Sequence, residues 1–449
     1  MTHKNELRLF GTDGIRGVAG EAPLDRETLS LIGQAVAAIL RKKTDAPPRI
    51  IIGRDTRESG PAIEQSIAAG ACALGARVES AGVITTPGVA YLAQAASFDA
   101  GVVVSASHNP YQDNGIKIFT PSGKKLDDEL EREIEMLVNH GSLASSVNEV
   151  EIEPNLEYID KYIDFLSSSF DLRLDGFRLA LDCANGAASR IAPEVFSRLG
   201  AHVSVLSAEP NGRNINQDCG SLHTEPLRAY VRQNSFDAGV AFDGDADRAL
   251  LVDEKGTLVD GDHELLILAE YLKSRGLLKG NMVVTTVMAN LGLELALAER
   301  AIEMTRTPVG DRYVLEEMLI RDASLGGEQS GHIIMPDISL AGDGIVTAIE
   351  MLKAIKTSGR SLGELASSLT KYPQILINVP VKRKPPLESS PRLQHEILEL
   401  QRSMGRHGRL VVRYSGTENL ARVMIEGKSQ SEIEAQARRL AEVIKDELS

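Results

Sequence analysis

The sequence of 449 residues contains no tryptophan, and only 4% of its residues are aromatic. Tryptophan platforms of the kind that stack sugars or bases are therefore excluded. Its three cysteines, Cys72, Cys183 and Cys219, are far apart and give neither a disulfide framework nor metal-ligand spacing, which indicates a reducing compartment. The net charge of −14 argues against non-specific binding of DNA or RNA.

Long apolar segments are also lacking. No apolar run reaches the roughly 18 residues that a membrane span requires, and the first ten residues have no signal-peptide core. We therefore expect a cytoplasmic protein with no membrane or nucleic-acid partner. The balance of 43% hydrophobic and 25% charged residues is typical of globular proteins. At about 150 residues per domain, the length suggests roughly three domains.

Short apolar runs of strand length alternate with helical stretches. Arg49–Ile52 is typical of a buried strand, Gly60–Leu74 has the period of a helix, and Ala76–Ser80 favours a return strand. This alternation predicts an α/β protein built around mostly parallel sheets.

The sequence repeats itself. LGARV at 74–78 returns as LGAHV at 199–203, and FDAGV at 98–102 returns unchanged at 236–240. A weaker third copy of the Asp-Ala pair starts the run DASL at 322–325. The repeats predict three related α/β units.

Each Asp-Ala run leads into a short predicted strand, and each strand ends in a polar loop. Ligands of open α/β sheets bind at the carboxyl ends of strands, so the three loops are expected to converge on one cleft. The loops are SASHNP at 105–110, DGDADR at 243–248 and GEQSGH at 327–332.

The last part of the chain differs. The Pro-rich, basic segment Tyr372–Pro386 indicates a domain boundary. A helix at Arg392–Met404 and strands at Arg409–Arg413 and Ala421–Glu426 predict a small α+β domain. The expected domains are therefore three α/β domains at 1–153, 154–255 and 256–370, and an α+β domain at 371–449.

The loop DGDADR carries three alternating aspartates, Asp243, Asp245 and Asp247, which would point the same way in an extended segment. Three oxygen ligands on one face suit Mg²⁺, and carboxylates between apolar strands would repel one another without a cation. The alternative is a solvated acidic turn. An EF-hand is excluded because Arg248 stands where glycine is required. Asp243 as a phosphoryl-accepting nucleophile is a rival.

The loop SASHNP places serine hydroxyls at the end of a predicted strand, where one could carry a phosphoryl group whose charge a nearby cation would offset. The alternative is a local Asn-Pro turn. His108 is a candidate general acid or base, or orients the loop. Lys117 either reaches the same site or faces solvent.

Two further loops carry candidate anion or sugar contacts. In RYSGTEN, Ser415, Gly416 and Thr417 lie between Arg413 and Arg422, a pattern that favours phosphate binding over an ordinary hairpin turn. GEQSGH offers Glu328 and Ser330 to hydroxyls or an amine. The N-terminal run GTDGIRG, with Arg16, is no P-loop, and the chain has no dinucleotide fingerprint.

Taken together, GTDGIRG, SASHNP, DGDADR, GEQSGH and RYSGTEN, in this order, resemble the α-D-phosphohexomutase superfamily over essentially the whole chain. The resemblance implies a heart-shaped architecture of four domains, of which the first three are related α/β units. The phosphate loop departs from the family at Tyr414, where proline or lysine is commoner, and at Asn419, where proline is commoner. Neither change removes a donor.

The resemblance also implies roles for individual residues. Ser107 matches the phosphorylated serine, and a phosphoserine oxygen would join the three aspartates around Mg²⁺. Arg16, His108 and Lys117 match catalytic positions whose acid–base assignment stays open. The implied substrate contacts are Arg248, Glu328, Ser330, Arg413, Ser415, Gly416, Thr417 and Arg422.

The implied reaction shifts phosphate between O6 and O1 of an amino sugar, glucosamine, through a phosphoserine enzyme and a 1,6-bisphosphate intermediate. This is an isomerase reaction, with a small sugar phosphate as partner and the C-terminal domain as a hinged lid. A homodimer stays open. The alternatives are a phosphomannomutase or phosphoglucomutase of the same mechanism, a metal-dependent sugar phosphatase, and a non-catalytic sugar-phosphate sensor.

Overall fold

The computed structural model describes residues 8–11, 13–43, 46–415 and 419–448. These residues form four sheets, which follow one another along the chain. We number the domains built on them I to IV.

Domain I contains a six-stranded sheet in the order β1-β2-β6-β5-β3-β4. Strands β3, β4 and β5 are parallel, whereas β1, β2 and β6 pair antiparallel. Because β3 and β5 are parallel neighbours, the loops that follow them meet at one edge of the sheet. The elements are β1 (Phe10–Gly11), β2 (Gly14–Val18), α1 (Arg26–Arg41), β3 (Arg49–Arg54), α2 (Gly60–Ala73), β4 (Arg77–Val83), α3 (Thr86–Ala95), β5 (Ala100–Val104), β6 (Asp113–Phe119) and α4 (Asp128–His140).

Domain II has a five-stranded sheet in the order β11-β10-β9-β7-β8, in which β7 is parallel to β8 and β9. Strands β9 and β10 are antiparallel, and the DGDADR loop connects them. The elements are α5 (Glu157–Ser168), β7 (Arg178–Asp182), α6 (Ala188–Arg198), β8 (His202–Leu206), α7 (Glu225–Asn234), β9 (Ala238–Phe242), β10 (Ala249–Asp253) and β11 (Leu258–Val259).

Domain III has a smaller sheet in the order β13-β12-β14-β15, and its two last strands have two residues each. The elements are α8 (Gly261–Ser274), a 3₁₀ turn (Lys279–Asn281), β12 (Met282–Thr286), α9 (Leu291–Glu299), β13 (Glu303–Thr307), α10 (Asp311–Arg321), β14 (Gly326–Gly327), β15 (Ile333–Ile334), α11 (Gly344–Ser358) and α12 (Leu362–Ala366).

The repeats occupy equivalent places in these domains, with one difference. Asp99 accepts a hydrogen bond from the backbone N–H of Arg49 at the start of β3, and Asp237 does the same for Arg178 at the start of β7. In domain III the hydroxyl of Ser324 accepts a similar bond from the N–H of Lys279, in the 3₁₀ turn that precedes β12. The side chain that ties the third copy to its neighbouring segment is therefore Ser324, two positions after Asp322 of DASL.

Domain IV is an antiparallel sheet in the order β16-β18-β17 with two helices. The segment Tyr372–Pro386, predicted as a boundary, contains a seven-residue strand. Its proline density concealed the strand, although Pro380 is tolerated at the end of an edge strand. The elements are β16 (Gln374–Pro380), a 3₁₀ turn (Leu387–Ser389), α13 (Pro391–Met404), a 3₁₀ turn (Gly405–His407), β17 (Gly408–Tyr414), β18 (Leu420–Gly427) and α14 (Gln430–Leu448).

The hydrophobic core shows how the domains are joined. One continuous cluster runs through domains I, II and III and includes Ile51, Leu181 and Leu352. Domain IV has its own cluster, which includes Val423 and Leu440. The first three domains are therefore packed as one body around the cleft, whereas domain IV is a separately packed unit. In the described ranges, no helix has the length and apolar character needed to span a membrane.

Candidate active site

Ser107 lies three residues beyond the end of β5, where the strand gives way to the loop SASHNP. Its side chain is almost fully buried, and its backbone has a φ of 51°, in the left-handed region that a non-glycine residue seldom adopts. The Ser107 hydroxyl donates to Oδ2 of Asp243 over 2.5 Å, and it lies 3.2 Å from Nδ1 of His108. The first and second polar loops therefore meet at this serine, as predicted.

The three aspartates of DGDADR are buried, and they offer carboxylate oxygens that lie within 4.8 Å of one another. The prediction that they would converge is confirmed, but the reason given for it was wrong. Ala246 has a φ of 55°, so the segment is a turn between β9 and β10 and not an extended strand. The turn folds the carboxylates together, where alternation along a strand would only have placed them on one face.

Lys117 on β6 contacts the aspartate cluster. Its ammonium lies 2.9 Å from Oδ2 of both Asp245 and Asp247. The hydroxyl of Thr86, at the start of α3, donates to the same oxygen of Asp245 over 2.6 Å. These contacts leave Oδ1 of Asp245 and Oδ1 of Asp247 buried without a hydrogen-bond partner. Buried orphan carboxylate oxygens beside a third carboxylate fit a divalent cation with oxygen ligands.

The pKa shifts at the cluster follow from burial and from these neighbours. Burial, followed by the charges of Asp247 and Asp245, raises the pKa of Asp243 well above its ordinary value. Burial acts in the same direction on Asp247, yet Lys117 and His332 hold the pKa of Asp247 well below its ordinary value. Lys117, His332 and Arg248 thus offset part of the negative charge, and the raised pKa of Asp243 shows that a metal ion at the cluster would find a carboxylate still in need of positive charge.

Lys117 itself is buried, and burial favours the neutral amine. The carboxylates of Asp13, Asp245 and Asp247 outweigh this effect and hold the pKa of Lys117 well above its ordinary value. Lys117 is thus a fixed ammonium group and reaches the site, which rules out its being a solvent-facing residue. Arg16 joins through Asp13, whose Oδ2 lies 2.6 Å from Arg16 Nη2 and 3.6 Å from Lys117 Nζ.

His108 is half-buried next to two arginines. Burial, followed by the charges of Arg248 and Arg16, lowers the pKa of His108 to about 4. The imidazole is therefore neutral near pH 7, and Arg248 Nη1 lies 3.2 Å from its Nδ1. In this arrangement Nδ1 accepts from the arginine, and His108 links the loop SASHNP to the loop DGDADR.

The third loop, GEQSGH, lies against the second. The carbonyl of Gly331 accepts from the backbone N–H of Ala249, the first residue of β10. Glu328 accepts from the N–H of Gly310 over 3.1 Å and from the hydroxyl of Ser330 over 3.3 Å. The carboxylate of Glu328 is thereby held in a fixed orientation at the cleft.

Several residues beyond those predicted from the sequence complete the site. His332 bridges the loops: its Nδ1 lies 3.6 Å from Asp247 and its Nε2 lies 3.5 Å from Asp311. Lys125 joins Asp13 and Asp311 across domains I and III. His332 and Asp13 stand inside runs that the sequence marked, GEQSGH and GTDGIRG, whereas Lys125 and Asp311 carry no pattern that separates them from surface charges.

The RYSGTEN loop belongs to domain IV. Arg413 on β17 stands directly opposite Arg422 on β18, and Arg422 Nη2 lies 3.5 Å from the Ser415 hydroxyl. Burial and the charge of Arg422 lower the pKa of Arg413. Two like charges held side by side in this way favour an anion between them. Gly416 and Thr417 lie outside the described residues.

Comparison with known proteins agrees with this organisation. Four family models match in order: phosphoglucomutase/phosphomannomutase alpha/beta/alpha domain I at residues 7–145, domain II at 157–256, domain III at 260–372 and the C-terminal domain at 376–443.

Full-length relatives and structures show the same. A phosphoglucosamine mutase from Solibacter usitatus (strain Ellin6076) is 49% identical over 443 residues, covering 98% of this chain and 99% of the relative. A phosphoglucomutase/phosphomannomutase family protein from Burkholderia thailandensis shares the fold, with a TM-score of 0.80 at 23% identity and 97% coverage of both chains. N-acetylphosphoglucosamine mutase from Aspergillus fumigatus, solved with GlcNAc-6P and magnesium, has a TM-score of 0.66 at 20% identity, covering 98% of this chain and 96% of that one. This chain is a member of the phosphoglucomutase/phosphomannomutase family.

Proposed function

We propose that the protein interconverts glucosamine 6-phosphate and glucosamine 1-phosphate, with Ser107 as the phosphoryl carrier. The observation that carries the proposal is the 2.5 Å contact between the Ser107 hydroxyl and Asp243 in a buried aspartate cluster. A hydroxyl held there at a strand end is placed to exchange a phosphoryl group beside a cation. The 49% identity to a phosphoglucosamine mutase over nearly the whole chain supports the amino-sugar substrate.

Asp243, Asp245, Asp247 and an oxygen of phosphorylated Ser107 would hold the metal, for which we propose Mg²⁺. Bound there, it neutralises charge on the transferring phosphoryl group, which is most of what phosphoryl transfer requires. The choice of Mg²⁺ rests on the all-oxygen donor set and on the magnesium reported with the Aspergillus fumigatus enzyme.

The first half-reaction moves the phosphoryl group from Ser107 to the sugar. The bond between phosphorus and the Ser107 oxygen breaks, a bond between phosphorus and O1 of the substrate forms, and the proton of the O1 hydroxyl is passed on as Ser107 regains its own. Lys117 and Arg248 stay charged and stabilise the transferring group. The product of this step is a 1,6-bisphosphate.

The second half-reaction reverses the roles of the two sugar oxygens. The bisphosphate turns over in the cleft, Ser107 takes the phosphoryl group from O6, and glucosamine 1-phosphate is left. The phosphate that is not reacting would lie between Arg413 and Arg422 with Ser415, Gly416 and Thr417, while Glu328 and Ser330 would bind the sugar. The separate core of domain IV supports a hinged motion that lets this grip follow either phosphate.

The decisive experiment assays the phosphorylated protein with Mg²⁺ and the 6-phosphates of glucosamine, glucose and mannose. We expect the highest kcat/KM for glucosamine 6-phosphate. A higher value for glucose or mannose phosphate would assign the chain to that substrate instead. Release of inorganic phosphate with label on Asp243 would show a phosphatase.

Ser107→Ala tests the carrier. We expect isomer exchange to be lost while the variant still binds the sugar phosphate. Ser122→Ala, at an exposed serine of the same domain, is the matched control and should keep wild-type turnover. Full activity of Ser107→Ala would contradict the mechanism.

A further inference from the structure

Arg57 is a fully buried cation that the reaction steps above do not use. It lies just beyond β3, in the loop beside the one that carries Ser107, and its side chain and that of Asp55 have no exposed surface. Its Nε donates to Oδ2 of Asp55 over 2.8 Å, so its charge is balanced locally. A buried arginine paired with one carboxylate needs no further charge, yet its other four N–H groups all point to a single neighbouring loop.

All five N–H groups of the guanidinium have an acceptor. Besides the bond to Asp55, Nη2 donates to the carbonyls of Ser107 (3.0 Å) and Asn109 (2.9 Å). Nη1 donates to the carbonyls of Asp113 (3.0 Å) and Pro110. The whole backbone turn from residue 107 to residue 113 is thus wrapped around one planar cation.

The amide side of Ser107 is fixed from the same source. Ser107 N–H donates to the hydroxyl of Ser105 over 2.9 Å, and that hydroxyl donates to Oδ2 of Asp55 over 2.6 Å. From domain II, Asn216 adds bonds to the carbonyls of Ser107 (2.9 Å) and Asn109 (3.1 Å). Both peptide groups of Ser107 are therefore tied to the Asp55–Arg57 pair, directly or through one hydroxyl.

This arrangement accounts for the backbone conformation of Ser107. A serine with a φ of 51° is strained, and such a conformation persists only where the surroundings determine it. The conformation aims the hydroxyl at Asp243. Without the guanidinium, four carbonyls of the loop would lose a donor and the turn could relax into a commoner conformation, which moves the hydroxyl away from the aspartate cluster.

We infer that Arg57 is a positioning residue for the phosphoryl carrier: it holds the loop 107–113 in the strained conformation that presents the Ser107 hydroxyl to Asp243. The inference rests on the proposed role of Ser107. It distinguishes Arg57 from Arg16, Lys117 and Arg248, because Arg57 acts through the backbone of the loop and has no free donor for a phosphate.

The test compares Arg57→Gln and Arg57→Lys with the wild type by steady-state kinetics and by hydrogen exchange of the peptide that spans residues 105–113. For Arg57→Gln we expect kcat to fall roughly 10²-fold, the loss that a misplacement of about 1 Å can cause, with KM changed less than about threefold. Amide exchange of the loop should rise about tenfold or more. Arg57→Lys offers three donors in place of five, so its kcat and loop exchange should lie between those of the wild type and those of Arg57→Gln.

Arg54→Gln is the matched control. Arg54 is the last residue of β3, and like Arg57 it is a largely buried arginine paired with a carboxylate, that of Glu64. Arg54→Gln should lower thermal stability without changing kcat or exchange of the loop. If Arg57→Gln does not fold, Asn216→Ala removes two of the same carbonyl contacts and should lower kcat roughly tenfold with faster loop exchange.

Either of two results would overturn the inference: an unchanged loop exchange in a folded Arg57 variant, or faster loop exchange with wild-type kcat. These results are separable from failure of the proposed function. An inactive wild type or an active Ser107→Ala would remove the carrier, whereas loop exchange still reports whether Arg57 holds the turn.

Discussion

The aspartate cluster and the arginine pair of domain IV bring together side chains of opposite charge. At the cluster, three buried carboxylates face the ammonium of Lys117 and the guanidinium of Arg248, yet the pKa of Asp243 rises well above its ordinary value because of burial and its two neighbours. In domain IV, Arg413 and Arg422 face each other across two strands, and burial together with Arg422 lowers the pKa of Arg413.

The difference shows why the global charge of −14 is a poor guide to the ligand. One region clusters negative side chains and the other positive side chains, and a sugar phosphate reacting beside a metal ion would need both. The packing of the two regions also differs. The aspartate cluster lies in the body whose hydrophobic core is shared by three domains, whereas the arginine pair lies on a separately packed domain. Changes in the two regions should therefore have separable effects.

The largest effect is expected for Asp243→Asn. Removing one proposed ligand of the cation that would stabilise transition-state charge should lower kcat about 10³-fold. In EDTA, however, the melting temperature should rise, because a neutral amide no longer repels Asp245 and Asp247. The measurements are kcat with saturating Mg²⁺ and thermal unfolding with EDTA.

Asp237→Asn is the control for this change, since Asp237 caps β7 away from the cleft. The Asp237→Asn variant should have a lower melting temperature and the kcat of the wild type. If Asp243→Asn instead unfolds at a lower temperature in EDTA, the three carboxylates do not repel one another and the cluster is not poised for a cation.

Arg413→Gln should affect the other region alone. Loss of a charge-assisted contact to phosphate, worth about 1.5–3 kcal/mol, should raise KM for the sugar phosphate roughly ten- to a hundredfold. The Mg²⁺ concentration that gives half-maximal activity should stay the same. Arg402→Gln, at an exposed arginine of α13, is the matched control and should change neither value. An unchanged KM in Arg413→Gln would remove domain IV from phosphate binding.

Thr86→Val should weaken metal binding, with a smaller effect on activity than the two changes above. The Thr86 hydroxyl donates to Oδ2 of Asp245, and valine keeps the shape but removes the bond. Loss of such a contact behind a metal ligand should raise the half-maximal Mg²⁺ concentration roughly tenfold, with kcat at saturation nearly unchanged. Thr28→Val removes a similar Thr–Asp bond at the start of α1 and is the control. Equal Mg²⁺ requirements in the two variants would contradict the role of Thr86.

Part of the cluster follows from the sequence, because three repeated α/β units each end a strand in a polar loop, and ligands of α/β sheets bind at such strand ends. Ser107, Asp243 and Glu328 could be placed in one cleft on that basis, although the three loops belong to three separate sheets. The same rule, applied to the loop after β3, would also have marked Asp55 and Arg57. The segment GRDTRESG at 53–60 mixes charges of both signs, a pattern that exposed loops share.

Other features depend on geometry that a single sequence does not encode. The turn at Ala246 brings the aspartates together, and only the backbone conformation shows it. The third repeat is tied to its neighbouring segment by Ser324 where the other two use aspartate, so matching by residue identity chose Asp322 instead. Lys125 and Asp311 are 186 positions apart and meet only when domains I and III pack together.

The smallest expected effect concerns the edge of the cleft, where α4 meets α10. Arg312 on α10 lies 2.5 Å from Asp128 and 3.6 Å from Glu131 on α4. Burial raises the pKa of Glu131 to about 7 from an ordinary 4.5, and the carboxylates of Asp128 and Glu135 add to this although Arg312 opposes it. The folded protein therefore binds a proton here that the unfolded chain has lost, between pH 4.5 and 7.

Stability should consequently fall as the pH rises through this window, because the folded state binds more protons than the unfolded state. Glu131→Gln should remove this contribution and flatten the pH dependence of the free energy of unfolding, measured by urea denaturation from pH 4.5 to pH 7.5. Glu129→Gln, on the exposed side of the same helix, should leave the slope unchanged. If Glu131→Gln instead keeps the wild-type slope, the guanidinium of Arg312 outweighs burial and holds Glu131 ionised in the folded state.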